Sequence, residues 1–454
     1  MVQSSGIFDG LEILSWVRDL ISEQRRMAKG YQKIQDERLR ALVEHAYENV
    51  DFYRQKYDAA CVTPDDIKSV EDISKLPMVT KDELRKNSPI IAKNIDPKDC
   101  EITATSGSTG SPIEIYVEKK NPWAIPCPSG TFSKVALPFL KNFGKIKMMT
   151  LLVTPDEAVE TQVIDSIIAL PRTRAFHIKV IDALEDPSVQ LKALMEYKPE
   201  IVATYPSVLK NLSILCQEEG IVPHQPNLLA LAAEVLDSHT EKVITEVFKG
   251  DFLNTYAATE AEVIAIECMK HQGMHIQYGN VVLELLKDGE PVPHGEPGEV
   301  VVTNLRNRAT PIIRYSGLCD VAVISTKKCS CGNSLPLLER VEGRKADSII
   351  LSDKRIIHPF KLTLALEHVP SMAKFQIIQE TVNNLKVFVV NDNGSNKDTV
   401  SPFVEGGPSW NMITDNLKSL LGEDVSVIVE EVEDIPRSSA GSHAVVRSLV
   451  GEGL

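Results

Sequence analysis

Apolar residues recur at helical spacing from Leu39 onwards: Leu39, Leu42, Val43, Ala46, Tyr47 and Val50 fall on one face of an amphipathic helix. Such a stripe is core packing, and it sets the character of a helical lead-in over residues 1–98. Beyond about residue 145 the pattern changes to short apolar runs separated by helical ones. Runs at 148–153, 175–180 and 200–203 predict buried strands, and 159–169 and 187–196 predict the helices between them. Strand–helix alternation implies a parallel sheet with helices on its faces, and ligands bind such sheets at the carboxyl ends of the strands. Two loops fit that placement: Ala203–Ser207, with Ser207 as cap of the next helix, and the turn after 228–233 that carries Ala233 and Glu234. Past about 343 the runs at 375–379, 385–391 and 425–429 predict strands, with a helix near 410–421. The expected fold is α/β: a large N-terminal domain (1–342) with mostly parallel sheets flanked by helices, and a small α+β C-terminal domain (343–454).

Composition narrows the function classes. A net charge of −14 over 454 residues argues against nucleic acid as the main partner. No run of about 18 apolar residues predicts a membrane span, and no basic-then-apolar N-terminus predicts a secretory signal. The expected location is cytoplasmic. Eight cysteines in this length are too sparse for a disulfide scaffold, so reduced thiols or a metal site are expected.

The chemistry concentrates in a glycine- and hydroxyl-rich stretch, Thr105-Ser106-Gly107-Ser108-Thr109-Gly110-Ser111-Pro112. Glycines let backbone N–H groups approach a ligand, and Ser and Thr hydroxyls add donors, together an anion-binding concavity. No Gly-Lys-Ser/Thr follows, so it is not a Walker A loop; a polar surface turn is the alternative. The order of letters resembles the phosphate-binding loop of the adenylate-forming superfamily, which includes acyl-CoA ligases, luciferases and peptide-synthetase adenylation domains. Ile113 stands where that superfamily commonly carries Lys; its phenylacetate–CoA ligase branch, which this loop resembles, usually lacks that Lys too.

Three further words support the resemblance. Tyr256-Ala257-Ala258-Thr259-Glu260 resembles the family's Tyr-Gly-x-Thr-Glu, with Ala257 in the Gly position. The resemblance implies that Thr259 contacts phosphate, Glu260 helps hold Mg²⁺ and the ring of Tyr256 lies on adenine. Read alone, the word is also a helix N-terminus capped by Thr259. Pro311-Ile312-Ile313-Arg314-Tyr315, running on to Asp320, resembles Pro-Leu-Ile-Arg-Tyr-x-Thr-Gly-Asp, whose Asp grips the ribose; the spacing is one residue longer here. Gly343-Arg344-Lys345-Ala346-Asp347 resembles the hinge word, with Arg344 reaching ribose or phosphate and Ala346 in the place of the usual acid. By the same resemblance, Ala233 and Glu234 lie against the adenine.

Cys268, His275, Cys329 and Cys331 form two pairs with the ligand types of a tetrahedral structural zinc site. His271 competes with His275 on spacing. Zinc-containing relatives carry Cys before a Gly-Leu-His-Ile word, which Gly273-Met274-His275-Ile276 resembles. The site is expected to staple a subregion at about 265–335.

The resemblance implies ATP-dependent activation of a small carboxylic acid, an aromatic one by family inference, to an acyl-adenylate. Transfer to CoA follows, with ATP, Mg²⁺ and CoA as the small-molecule requirements. Specificity is expected in 123–140 and 205–236. Transfer to an amine, a phenol or a carrier protein is the second reading, and a weakly catalytic binding relative the third; a homodimer is compatible with each. The family's C-terminal Pro-Arg-x-x-x-Gly-Lys word stands here as Pro436-Arg437-Ser438-Ser439-Ala440-Gly441-Ser442. It puts Ser442 where the family's catalytic Lys is expected.

Overall fold

The computed structural model describes residues 30–104, 113–118, 146–152, 176–344, 347–353, 355–357, 359–366, 369–391, 401–435 and 445–450. The glycine- and hydroxyl-rich stretch 105–112, the segment 123–140, the expected helix 159–169 and the word around Ser442 therefore lie outside the described residues.

The lead-in folds as α1 (Tyr31–Asn49), α2 (Asp51–Ala59) and α3 (Lys81–Asn87), joined by short 3-10 turns. Leu39, Leu42, Val43, Ala46 and Val50 are all buried, as the stripe requires. Thr80 and Glu83 form a capping box that starts α3: the Thr80 N–H donates to Glu83 Oε2 at 2.8 Å and the Glu83 N–H to Thr80 Oγ1 at 3.3 Å. A hairpin follows, β1 (Cys100–Ala104) and β2 (Glu114–Glu118), paired so that Ala104 faces Glu114 across the mouth of the 105–112 stretch.

The strands that follow are β3 (Ile146–Leu152), β4 (Phe176–Asp182), β5 (Ile201–Thr204), β6 (Leu228–Ala232) and β7 (Asp251–Ala258). Between them run α4 (Pro187–Tyr197), α5 (Pro206–Glu218) and α6 (Ser238–Val247). All ladders among β3 to β7 are parallel, in the order β4-β3-β5-β6-β7. Strands β5 and β6 are buried along their whole length, as sheets covered on both faces demand.

At β7 the sheet changes sense. β8 (Glu262–Glu267), β9 (Met274–Ile276), β10 (Val281–Lys287), β11 (Glu290–Pro291), β12 (Pro297–Asn304), β13 (Ile312–Tyr315), β14 (Asp320–Ile324) and β15 (Leu337–Arg344) continue it antiparallel. The result is one 13-stranded mixed sheet. The expected α/β class stands, but the expectation of mostly parallel sheets does not: in this sheet only β3–β7 pair parallel, and β8–β15 extend it antiparallel. Two cores result: one packs the lead-in against the antiparallel half, the other fills the parallel half.

After β15 the chain forms a small ladder, β16 (Ile349–Ile350) with β17 (Ile356–Ile357), and then α7 (Pro359–Leu366). A separate four-stranded sheet has the order β20-β19-β18-β21, with β18 (Met372–Thr381), β19 (Asn384–Asn391), β20 (Ser426–Glu431) and β21 (Val446–Ser448). Helix α8 (Pro408–Leu421) packs over it, and this unit has its own core around Leu362, Phe375, Ile377, Val387 and Ile413.

Candidate active site and metal cluster

Where β7 hands over to β8, the chain reverses in the short turn Thr259–Glu260–Ala261, with Ala258 facing Glu262 across the ladder. The word ending in Glu260 is thus a hairpin, and the alternative of a helix capped by Thr259 is wrong. The fully buried run Val263–Ile266 explains why: it extends as a strand and pulls the turn into the sheet.

Glu260 is 7% exposed. The hydroxyl of Tyr315 donates to its Oε1 at 3.0 Å, and Asn304 Nδ2 donates to its backbone carbonyl at 3.3 Å. Burial pushes the phenol of Tyr315 far above its ordinary pKa and the neighbouring Glu260 charge adds to this, so the proton stays on the phenol. A side chain at Gly317 would meet the Tyr315 ring at 2.3 Å, so glycine there leaves the ring its place.

Tyr315 is itself braced. Tyr53 donates to the Pro311 carbonyl at 2.9 Å and accepts from the Ile313 N–H at 3.0 Å. Arg314, in left-handed backbone at φ 51°, pairs with Glu284 at 3.0 Å and donates to the carbonyls of Ser74 and Leu76 at 2.9 and 2.7 Å. Val79 exchanges backbone bonds with Arg314 and Ser316, each 2.9 Å. The lead-in therefore clamps the strand that presents Tyr315.

Asp320 opens β14, and Tyr256 donates to its Oδ2 at 2.6 Å. Arg344 stands directly opposite Asp320 on β15. Ala257 and Ala258 close β7 beside this pair. Ala233, at φ 68°, follows β6 directly, and Glu234 accepts from the Ser207 N–H at 2.9 Å and from its hydroxyl at 2.8 Å. Ser207 is accordingly not the cap of α5. Tyr205 is the cap residue and Pro206 takes the first turn, so the carboxylate of Glu234 serves the helix start from across the sheet.

The hairpin β1–β2 is tied to the same region. Thr310 Oγ1 accepts from the Tyr116 N–H at 3.0 Å and donates to the Ile90 carbonyl at 2.7 Å. Its loop residues Thr105, Ser106, Gly107, Ser108, Thr109 and Gly110 are outside the described set, as is Ser442.

The four metal-ligand residues do come together: their ligand atoms all lie within 4.8 Å of one another. Sγ of Cys268 and Cys329 are 3.5 Å apart, and Sγ of Cys331 is 3.3 Å from Nε2 of His275. Tetrahedral zinc with bonds of about 2.3 Å to sulfur needs sulfur–sulfur edges of about 3.8 Å, so the set matches its dimensions. Each sulfur also accepts a backbone N–H two residues on, from Lys270, Cys331 and Asn333, at 3.3–3.5 Å. Burial pushes the Cys268 thiol up to about 12 without a cation beside it. His271 is turned away, onto Phe252 and Glu267.

Sequence reasoning missed Tyr315, Asn304 and Glu262. Tyr315 stood inside a recognised word, but its partner is 55 residues away. Glu262, pushed up to about 7 by burial against the pull of Arg306 and Asn304, looked like one more polar residue at a strand end.

Among known proteins, the CapK C-terminal domain family matches residues 349–448. A phenylacetate-coenzyme A ligase of Thermus thermophilus is 25% identical over 76% of this chain and 77% of its own. The phenylacetate-coenzyme A ligase of Escherichia coli is 25% identical over 92% of this chain and 96% of its own. A 2-hydroxyisobutyryl-CoA ligase, solved in its postadenylation state with a hydroxyacyl-AMP, superposes with a TM-score of 0.75 at 19% identity, over 93% of this chain and 90% of its own.

Proposed function

We propose that the chain is an AMP-forming acid–CoA ligase of the phenylacetate–CoA ligase-like adenylate-forming family, a reading supported by its likeness to those ligases over most of its length. A carboxylate oxygen of the acid attacks the α-phosphorus of ATP, the bond to pyrophosphate breaks, and acyl-AMP remains. The CoA thiolate then attacks the acyl carbon and AMP leaves.

In this reading Thr259 and the loop from Thr105 to Gly110 hold phosphate oxygens, and Glu260 holds Mg²⁺, a hard cation that suits a carboxylate oxygen. Tyr315 keeps that carboxylate aimed. Asp320 takes the ribose hydroxyls. Tyr256, Ala257, Ala258, Ala233 and Glu234 surround the base, and Arg344 reaches the nucleotide from the strand end where the 343–454 domain begins. Catalysis in the first half is positioning and charge neutralisation. Cys268, His275, Cys329 and Cys331 hold one structural zinc, since four protein ligands leave no open position.

One observation carries the proposal. Two words distant in sequence meet at one end of the sheet through Tyr315–Glu260 at 3.0 Å and Tyr256–Asp320 at 2.6 Å. The test is exchange of labelled pyrophosphate into ATP across a panel of aromatic acids, followed by CoA and detection of the thioester by mass. Exchange without thioester would identify a different acceptor. No exchange with any acid, together with no binding of AMP, would overturn the reading.

A further inference from the structure

Strand β13 reaches Tyr315 by way of a β-bulge. Val302 of β12 faces Tyr315 and Asn304 faces Ile312, so two steps along β12 are matched by three along β13. Side chains alternate along a regular strand. Ile312 and Tyr315, three apart, would then lie on opposite faces, although their partners Val302 and Asn304 share one. The extra residue in β13 removes that mismatch and turns Tyr315 to the side from which it donates to Glu260.

The backbone of Arg314 shows where the extra residue sits. Its φ of 51° is left-handed, a conformation strained for a residue with a side chain and concentrated at functional sites. A bulge takes a peptide N–H out of the ladder, and a buried N–H needs another acceptor. Here the Arg314 N–H donates to Thr303 Oγ1 at 2.9 Å. Thr303 is fully buried and is the β12 residue passed over between the two ladder pairs. The other ties of Arg314 run through its guanidinium to Glu284, Ser74 and Leu76 and through its carbonyl to Val79, and none of them serves that N–H.

We propose that Thr303 is a positioning residue: its hydroxyl fixes the bulge at Arg314 and so aims the phenol of Tyr315 at Glu260. The consequence for rate rests on the adenylation reading, and the inference goes beyond it by giving the aim to a side chain that reading leaves out.

Two substitutions separate positioning from packing. Thr303→Val keeps the branched shape and removes the acceptor, whereas Thr303→Ser keeps the acceptor and gives up a buried methyl group. The full-length protein is labelled with ¹³C at Cζ of its ten tyrosines, and the Tyr315 resonance is the one absent from Tyr315→Phe. That carbon responds to the hydrogen bond its phenol makes, whatever the reaction. In Thr303→Val the resonance is expected to leave its parental position and pyrophosphate exchange to fall about tenfold. Thr303→Ser is expected to keep both, with a lower melting temperature. If Thr303→Val does not fold, Thr303→Ala, which also lacks the acceptor, takes its place. A parental Tyr315 resonance in the acceptor-free variant overturns the proposal, because Val79 and Glu284 then fix the aim without Thr303. So does a displaced resonance or a lost rate in Thr303→Ser, or a displaced resonance with an unchanged rate in Thr303→Val. Failure of the parent protein to exchange pyrophosphate with any acid is a different result: it removes the adenylation reading, while the resonance still decides what aims Tyr315.

Discussion

At the scale of single residues, a neutral phenol holds the acid assigned to the metal. Tyr315 is fully buried and donates to Glu260, and its raised pKa keeps the donor protonated throughout the working range. A hydrogen bond to a charged group is worth about 1.5–3 kcal/mol. Tyr315→Phe should therefore lower the maximal rate of pyrophosphate exchange by about ten- to a hundredfold, while calorimetry still detects AMP binding. Retention of the full rate would show that Glu260 needs no such support. Lys210 is the opposite case, a charge the fold disfavours. Burial lowers its pKa to about 8; Asp237 pulls it back up and Lys374 pushes it further down. Its charged form thus costs stability below pH 8. As pH rises from 8 towards 10.5 the native state has lost the proton that the unfolded chain keeps, so stability rises across that window. Lys210→Met should raise the melting temperature at pH 7, by a free energy on the order of 1–3 kcal/mol. That gain should fade as scans approach pH 10.

At the scale of elements, the lead-in helices carry no candidate chemistry, yet Tyr53, Ser74, Leu76 and Val79 all bond to the strand that ends in Tyr315. The metal cluster plays the matching part at the far end of the antiparallel half, where Leu337 of β15 faces His275 of β9. Purified protein should contain about one zinc per chain. Cys331→Ser should lower the melting temperature, and a strong chelator should do the same to the parent protein; metal-free protein with an unchanged transition would end the assignment. These elements also show what a sequence discloses. The stripe from Leu39 to Val50 and the strands around Phe375 and Leu385 were legible because periodicity is local. The antiparallel half was not, because its order depends on pairings such as Leu337 with His275 and Asp320 with Arg344, which no local pattern encodes. The site was half legible for the same reason. Tyr256, Glu260 and Asp320 lie in words with a fixed spelling, whereas Asn304 and Glu262 matter only through neighbours that the folded sheet supplies.

At the scale of the whole molecule, the four-stranded sheet of residues 372–448 carries its own core, and the chain reaches it from β15 by way of the β16–β17 ladder and α7. Ser442 belongs to that C-terminal stretch and stands where the family resemblance calls for a lysine. A hydroxyl supplies no fixed positive charge where negative charge gathers in the transition state, and one preorganised donor is worth about 2.7–4 kcal/mol. Adenylation should accordingly be slow relative to thioester formation. Ser442→Lys should raise pyrophosphate exchange tenfold or more, about 1.4 kcal/mol; an unchanged rate would mean that another group already supplies the charge.

Strand β15 reaches from the metal cluster at Leu337 to the partner of Asp320 at Arg344, eight residues that extend about 23 Å. It runs as a spar from Leu337, packed against Cys268 and Cys329, to the residue paired with Asp320. Its ladder with β14 already absorbs two register shifts, at Val321/Ala322 and Val323/Ile324. A one-residue slip would turn each of its side chains to the opposite face. A slip that began where Leu337 pairs with His275 would be carried along the strand to the residue opposite Asp320 with nothing entering the site itself.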